Sequence, residues 1–267
     1  MNQVMDVLLK RKSIRAYEPK NISPEIKAQI LQATLRAPTA GNMMLYSIVD
    51  VPEQAIKDRL AVTCDDQLFI AKAPLVWVFL ADYQRWQDYF VASGVEQMCA
   101  QKNEQMRPPA EGDLFLACCD ALIAAQNAVI AAESFGIGSC YIGDIMEQYE
   151  THKELLNLPK YVFPICMLCF GYPTEQQEKR EQSTRFDEKF IVFENQYQRL
   201  DKHEFDEMFS ERHKQMFKTR TSVSGSANVG QVIYRRKFDA GFTHEMTRSV
   251  RAILKQWSEG SFEGGAV

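Results

Sequence analysis

Ala73-Pro74-Leu75-Val76-Trp77-Val78-Phe79-Leu80-Ala81 is an unbroken apolar run rich in β-branched and aromatic residues. It shows no polar/apolar alternation, so it predicts a central strand buried on both faces. Residues 162–170 read the same way and are closed by Gly171-Tyr172-Pro173. Between the two runs lies the longest helical signal, residues 113–133, with Leu122, Ala125, Val129 and Ala132 marking one face. No charge occurs between Asp120 and Glu133. That pattern predicts a helix enclosed on nearly all sides. Shorter elements surround this centre. Residues 1–10 predict a first helix. Ser23-Pro24-Glu25 reads as a capped helix start, with Pro at the first helical position. Residues 47–51 and 139–143 read as short extended pieces, 52–61 as a helix, 144–158 as helix-rich, and 174–185 as an exposed polar loop. Residues 191–193 read as a late strand, far enough from the others in sequence to be exchanged between subunits.

After Leu200 two helical stretches, residues 203–218 and 239–257, flank a linker rich in Ser, Gly and Asn at 221–230. The expected organisation is a core of residues 1–200 and a C-terminal helical extension of residues 201–267. Four or five strands among more than twice as many helical residues give an α+β or α/β fold, a sheet wrapped in helices.

The chain has 267 residues, 46% of them apolar, and a net charge of −4. No basic surface points to nucleic acid. No uncharged apolar run approaches about 18 residues, so no membrane span is expected. The reading is a soluble cytoplasmic protein. Seven cysteines, an odd number, fit reduced thiols. Cys166 and Cys169 fall three apart on a predicted strand and so face opposite ways, unable to share a metal. His152, His203, His213 and His244 show no ligand spacing, and no metal is expected.

Arg11-Lys12-Ser13-Ile14-Arg15 packs three cations and a hydroxyl into five residues. Guanidinium forks match phosphate oxygens, although a solvated basic helix end has the same composition. Gly136-x-Gly138 follows a helix rather than a strand, the wrong order for a dinucleotide loop, and reads as a helix cap. Gly225 and Gly230 lack the Lys and Ser/Thr of a P-loop. No catalytic triad or carboxylate pair stands out. An enzyme with so little acid–base equipment delegates its chemistry to a bound cofactor.

Arg11-Lys12-Ser13-Ile14-Arg15-Ala16-Tyr17 resembles the N-terminal signature of the FMN-dependent nitroreductase superfamily. Ala37-Pro38-Thr39-Ala40-Gly41-Asn42 resembles its second motif, residues 136–143 its third, and Gly171-Tyr172-Pro173 its fourth, in the family's order. Glu194-Asn195-x-Tyr197 and the C-terminal part resemble the larger oxygen-insensitive nitroreductases and flavin reductases. The resemblance implies an α+β fold with a mostly antiparallel sheet, and a homodimer whose C-terminal extension embraces the partner. It implies FMN as cofactor, NADPH or NADH as hydride donor, and ping-pong reduction of nitroaromatics, quinones or flavins. It places Arg11, Ser13 and Arg15 at the FMN phosphate and ribityl chain, with Lys12 beside them or at the surface. Pro38, Thr39, Ala40 and Asn42 would line one side of the flavin ring, and Tyr141, Ile142 and Gly143 another. Gln67 would make a polar contact, and Arg185 or Arg180 would reach the phosphate. Arg212, His213, Lys214, Lys218 and Arg220 are candidates for the extra phosphate of NADPH. Met43-Met44-Leu45-Tyr46 and Asp144 depart from the family pattern. The polar segment 83–109 is either a lid or a surface excursion. A lid with an acid or aromatic clamp would suit a dehalogenase-like chemistry. A flavin-sequestering protein is the remaining alternative.

Overall fold

Four strands, Tyr46–Asp50 (β1), Leu75–Asp82 (β2), Gly138–Ile142 (β3) and Val162–Gly171 (β4), form one antiparallel sheet in the order β1-β2-β4-β3. The two apolar runs are therefore the middle of the sheet, as their composition requires. The computed structural model describes residues 2–218 and 222–258. These divide into two compact units, residues 2–180 with 245–258, and residues 181–244.

Successive residues of the central strands feed two different cores. Leu75, Trp77 and Phe79 join Leu168 and Phe170 on one face, and Trp77 meets Phe170 edge-on at 5.6 Å. Val76, Val78 and Leu80 join Met167 and Cys169 on the other. Cys166 belongs to the first cluster and Cys169 to the second, so the two thiols do face apart. The register shifts between Phe79 and Leu80, opposite Cys166 and Pro164. A bulge there accommodates a proline that an unbroken ladder would reject.

The first unit also carries helices Gln3–Lys10 (α1), Pro24–Thr34 (α2), Gln54–Thr63 (α3), Gln84–Ala92 (α4), Val95–Ala100 (α5), Glu111–Ser134 (α6), Tyr149–Leu155 (α7) and Glu175–Lys179 (α8). α8 falls where a plain loop was expected. Thr174 caps it by accepting a hydrogen bond from the Gln177 N–H, and its residues are good helix formers. The polar segment 83–109 holds α4 and α5.

α6 lies against the sheet through Ala121, Ala124, Ala125, Ala128 and Ala132, all fully buried, whose small side chains permit close approach. Its other face was expected to be enclosed and is not. Phe115 is 68% exposed, and Leu116, Leu122 and Ile123 are also exposed. The sheet covers one stripe of α6 and α2 another, where Asn127 Nδ2 donates to the Ala33 carbonyl (3.3 Å), and these four side chains lie outside both. By length and composition alone α6 is long and apolar enough to cross a membrane. Gly136, at φ 71°, caps its C-terminus, and the Ile137 N–H donates to the Ala132 carbonyl.

The second unit contains Lys202–Phe217 (α9), Val229–Ile233 (α10), a π-helical turn at Tyr234–Phe238 and the start of Gly241–Ser258 (α11). Asp201 and Glu204 cap α9 reciprocally. No strand forms at 191–193. A 3-10 turn at Glu188–Phe190 leads into a stretch with no strand partner, leaving Ile191 and Val192 exposed. Three apolar residues satisfy a strand's composition, but a strand needs a neighbour. From residue 245 the chain belongs to the first unit again. Ile253 and Trp257 are buried with Leu114, Tyr149, Tyr161 and Phe163, and Trp257 Nε1 donates to the Ala110 carbonyl (3.0 Å). The compact units part at 180/181. The hydrophobic stripe of α11 finds its cover in the core.

His152 bolts the turn after β3 to the end of α3. It is fully buried, with Nδ1 2.9 Å from the Ile145 carbonyl and Nε2 2.8 Å from the Thr63 hydroxyl. A carbonyl only accepts, so Nδ1 carries the proton and Nε2 is the acceptor. Burial holds the ring below its usual pKa and hence neutral. The unfolded chain takes up a proton near pH 6.5 that the folded ring resists. The stability this supplies is complete above that pH and declines as pH falls below it. The carboxyls of Glu133 and Glu147, raised mainly by burial to about 7 and about 8, slope the other way. Urea denaturation of wild type and His152→Gln at pH 7.5 and 5.5 isolates the histidine: the gap between the two proteins is expected to narrow at the lower pH.

Candidate functional site

The first motif leaves α1 and runs along the edge of the sheet. Ser13 bridges Ser139 in parallel, and the Ile14 N–H donates to the Ser139 carbonyl (2.9 Å). Tyr17 then bridges Pro173, and the Glu18 N–H donates to the Tyr172 carbonyl (2.8 Å). Two glycines permit this. A Cβ on Gly138 would stand 2.3 Å from Ile14 Cγ1, and one on Gly171 would stand 2.6 Å from Tyr17 Cδ1. The first, third and fourth motifs are thereby brought to one edge, that of β3. There, burial raises the Cys140 thiol, while Arg15, Ser13 and Arg11 pull it back. Among the described residues the buried hydroxyl of Ser139 has no partner, and neither does one buried carboxyl oxygen of Glu133, which feels Arg11 and Lys12.

The two candidate arginines after the fourth motif part company. Arg180 donates to the Ser13 carbonyl, and Lys12 Nζ reaches the carbonyls of Glu178 and Arg180, so Lys12 clips this segment to the first motif. Arg185 lies in the second unit and donates to the carbonyls of its own loop at Ser183 and Thr184. Arg212 stacks on Phe186 at 3.8 Å, and the His213 ring stacks on Phe217 at 4.6 Å. Lys214 sits in the last turn of α9, and Lys218 follows it. Arg220 lies outside the described residues.

Thr39 leads the second motif into a 3-10 turn, Ala40–Asn42, with Gly41, Asn42 and Met44 all at positive φ. Asp120 holds this strained loop. Its Oδ1 accepts from the Ala40 N–H (2.9 Å) and its Oδ2 from the Leu45 N–H (3.0 Å), and the residue is 2% exposed. Sequence reasoning passed over Asp120, yet a lone charge inside the apolar stretch of α6 was the available signal. Removing it leaves the buried Leu45 N–H and the part-buried Ala40 N–H unpaired, a cost of about 3 kcal/mol. Asp120→Ala is therefore expected to lower the midpoint of thermal unfolding by roughly 6–12 °C, read by differential scanning fluorimetry. Thr39 Oγ1 accepts from the Met44 N–H (3.2 Å). From α4, Arg85 donates to the carbonyls of Met44 (2.6 Å) and Tyr46 (2.9 Å), and Trp86 Nε1 to that of Met43 (2.8 Å). α4 is thus moored to the motif rather than a free surface excursion. A cavity of about 450 Å³ between them is lined by Met43, Met44, Arg85, Trp86 and Tyr89.

In the third motif Ile142 is buried, and the Tyr141 hydroxyl donates to Gln126 (3.2 Å). Ala37, Met44 and Tyr141 share one apolar cluster. Gln67 meets the turn that follows Gly143 through Asp144 (2.7 Å). Pro38 follows Ala37 at the entrance of the second-motif loop.

The site is thus a helix-covered antiparallel sheet with a cationic N-terminal stretch clipped to its edge strand. The chain belongs to the nitroreductase family, whose profile matches residues 8–172. It is 30% identical to the oxygen-insensitive NADPH nitroreductase of Salmonella typhimurium, over 79% of this chain and 82% of the relative. It is 30% identical to the FMN reductase (NADPH) of Bacillus subtilis, over 74% and 75% respectively. Among solved structures, NfrA2 of B. megaterium superposes over 100% of both chains with a TM-score of 0.79 at 25% identity. The NADPH:FMN oxidoreductase of Vibrio harveyi covers 95% of this chain and 98% of its own, with a TM-score of 0.75 at 25% identity.

Proposed function

We propose that this chain is an FMN-dependent NAD(P)H oxidoreductase that reduces nitroaromatics, quinones or flavins. The observation that carries the reading is the gathering of Arg11, Ser13 and Arg15 around Cys140, with Ser13 bridged to Ser139, at the edge of β3. Guanidinium groups and hydroxyls are the donor set a phosphate monoester requires. Arg180, tied to Ser13, is the better placed of the two later arginines. The Asp120-held loop offers Pro38, Thr39, Ala40 and Asn42 to one side of the flavin ring, and Tyr141, Ile142 and Gly143 offer another. Bound FMN supplies acceptance of a hydride from NAD(P)H and its delivery to a second substrate. The chain's own part is to bind, to orient and to exclude water, which needs no nucleophile of its own. The Met- and Trp-lined cavity beside the second motif has the size and surface to take a planar aromatic acceptor.

The exposed apolar face of α6, with Val4, Leu8 and Leu9 of α1 also exposed, supports a homodimer, since patches of this kind mark protein interfaces. The second unit, with Val192, Tyr197 and Phe238 largely exposed, is the segment that would embrace the partner. Seven free thiols suit the reducing cytoplasm.

The experiment is the visible spectrum of the purified protein, before and after anaerobic NADPH. The expected result is a flavin spectrum that bleaches. A flavin spectrum unmoved by either nicotinamide replaces the reductase with a flavin-sequestering protein. A protein that takes up no FMN on incubation overturns the phosphate role of Arg11, Ser13 and Arg15.

A further inference from the structure

Gln67 spends both protons of its side-chain amide on the protein. Nε2 donates to Asp144 Oδ2 (2.7 Å) and to the Cys64 carbonyl (2.8 Å). A carboxylate and a backbone carbonyl accept only, so both bonds need the NH₂ group, and a flipped amide would set its oxygen against two acceptors. The orientation is thus fixed by chemistry. Among the described residues no donor reaches Gln67 Oε1. The Gln67 backbone is held as well, its N–H donating to the Ala61 carbonyl (2.8 Å) and its own carbonyl accepting from the Ile70 N–H (3.0 Å).

We propose that Asp144 is a positioning residue: it pins the Gln67 amide with its NH₂ turned inward and its oxygen outward, so that Gln67 meets the flavin as a hydrogen-bond acceptor only. This rests on the flavin reading above, which places Gln67 and Gly143 at the cofactor. The ligand chemistry it selects is an N–H or O–H of the flavin facing Gln67. A flavin carbonyl there would meet lone pairs.

Asp144 keeps company with other carboxyls. Glu147 is 4% exposed, and one of its oxygens is buried without a partner among the described residues. Burial first, then Asp144, Asp65 and Glu245, raise its pKa to about 8. Glu147 therefore holds its proton at neutral pH. The turn carrying Asp144 does not depend on it. Gln148 Nε2 donates to the Thr63 carbonyl (3.1 Å), and His152 joins the same turn to the Thr63 side chain.

The test is a double-mutant cycle on FMN affinity, read by quenching of flavin fluorescence, with apo-protein melting curves as the control for folding. Gln67→Ala is expected to raise the FMN Kd about tenfold, the worth of one hydrogen bond. Asp144→Ala is expected to raise it about five-fold, because the freed amide can rotate. In the Gln67→Ala background Asp144→Ala should add nothing, since its effect passes through Gln67. Asp144→Asn, whose side-chain oxygen still accepts, should stay within about two-fold of wild type. The proposal is overturned if the Asp144→Ala loss persists without Gln67, if Asp144→Asn behaves as Asp144→Ala, or if Gln67→Ala leaves the Kd unchanged. In each of these the wild type still binds FMN and the functional reading stands. A wild type that binds no FMN overturns both.

Discussion

Arg11→Ala and Arg15→Ala should each weaken FMN binding by about 10- to 100-fold, and the double variant by about 10³-fold or more. Each guanidinium offers charge-assisted hydrogen bonds worth about 1.5–3 kcal/mol. The comparison ligand is riboflavin, which carries the same ring and ribityl chain without the phosphate. Its affinity should fall by much less in either variant, since only ribityl contacts are lost, so the preference of the protein for FMN over riboflavin should shrink sharply. Isothermal titration with both flavins reads this directly. Equal losses for the two would mean that the arginines hold the ring or the fold, and not the phosphate. The interaction is ionic, so the wild-type preference should also shrink as salt rises. Lys12 offers a contrast within the same pentapeptide. Its ammonium is spent on the carbonyls of Glu178 and Arg180. Lys12→Ala should act by loosening that clip, with a smaller effect on FMN.

Gly138→Val should be the most damaging single change in the sheet edge. Even a Cβ at 138 would stand 2.3 Å from Ile14 Cγ1 and 2.9 Å from Ile14 Cβ. Ile14 is itself 3% exposed and has no room to retreat. Overpacking of this kind costs about 3 kcal/mol, or roughly 6–12 °C in thermal midpoint. The damage should be local in character. The first motif would lose its place on β3, and with it Arg11, Ser13 and Arg15 would lose theirs. Protein that remains folded is therefore expected to purify with little flavin. A variant that melts normally and retains its flavin would show that the N-terminal stretch reaches its place without the close approach.

The central strands were plain in the sequence because burial on both faces leaves no room for polar residues. The four motifs were legible for a related reason: each fixes a backbone event, a left-handed turn or a close approach, that few residues tolerate. What the sequence did not reveal is contact across large separations. Asp120 lies 80 residues from the Ala40 N–H it holds. Asp144 lies 77 residues from Gln67. Both read locally as ordinary acids, and only the fold shows which donors they meet. The missed features at 191–193 and on α6 have the opposite cause. Apolar composition predicts that a surface will be covered, but not by what, and within one chain Val192 and Phe115 stay open to solvent.

The return of α11 gives the order of synthesis a hold on the finished protein. Trp257 seats against Tyr161 at 5.4 Å, and Gln256 donates to the Lys160 carbonyl (3.0 Å), about a hundred residues upstream. A nascent chain can assemble the sheet and α6 while this niche still gapes, with Leu114, Tyr161 and Phe163 unsealed. Only when residues 253–257 leave the ribosome does it shut. A premature stop in the second unit would thus release a product that contains all four N-terminal motifs and still displays an open hydrophobic niche, the kind of surface by which a cell's proteases recognise a fragment.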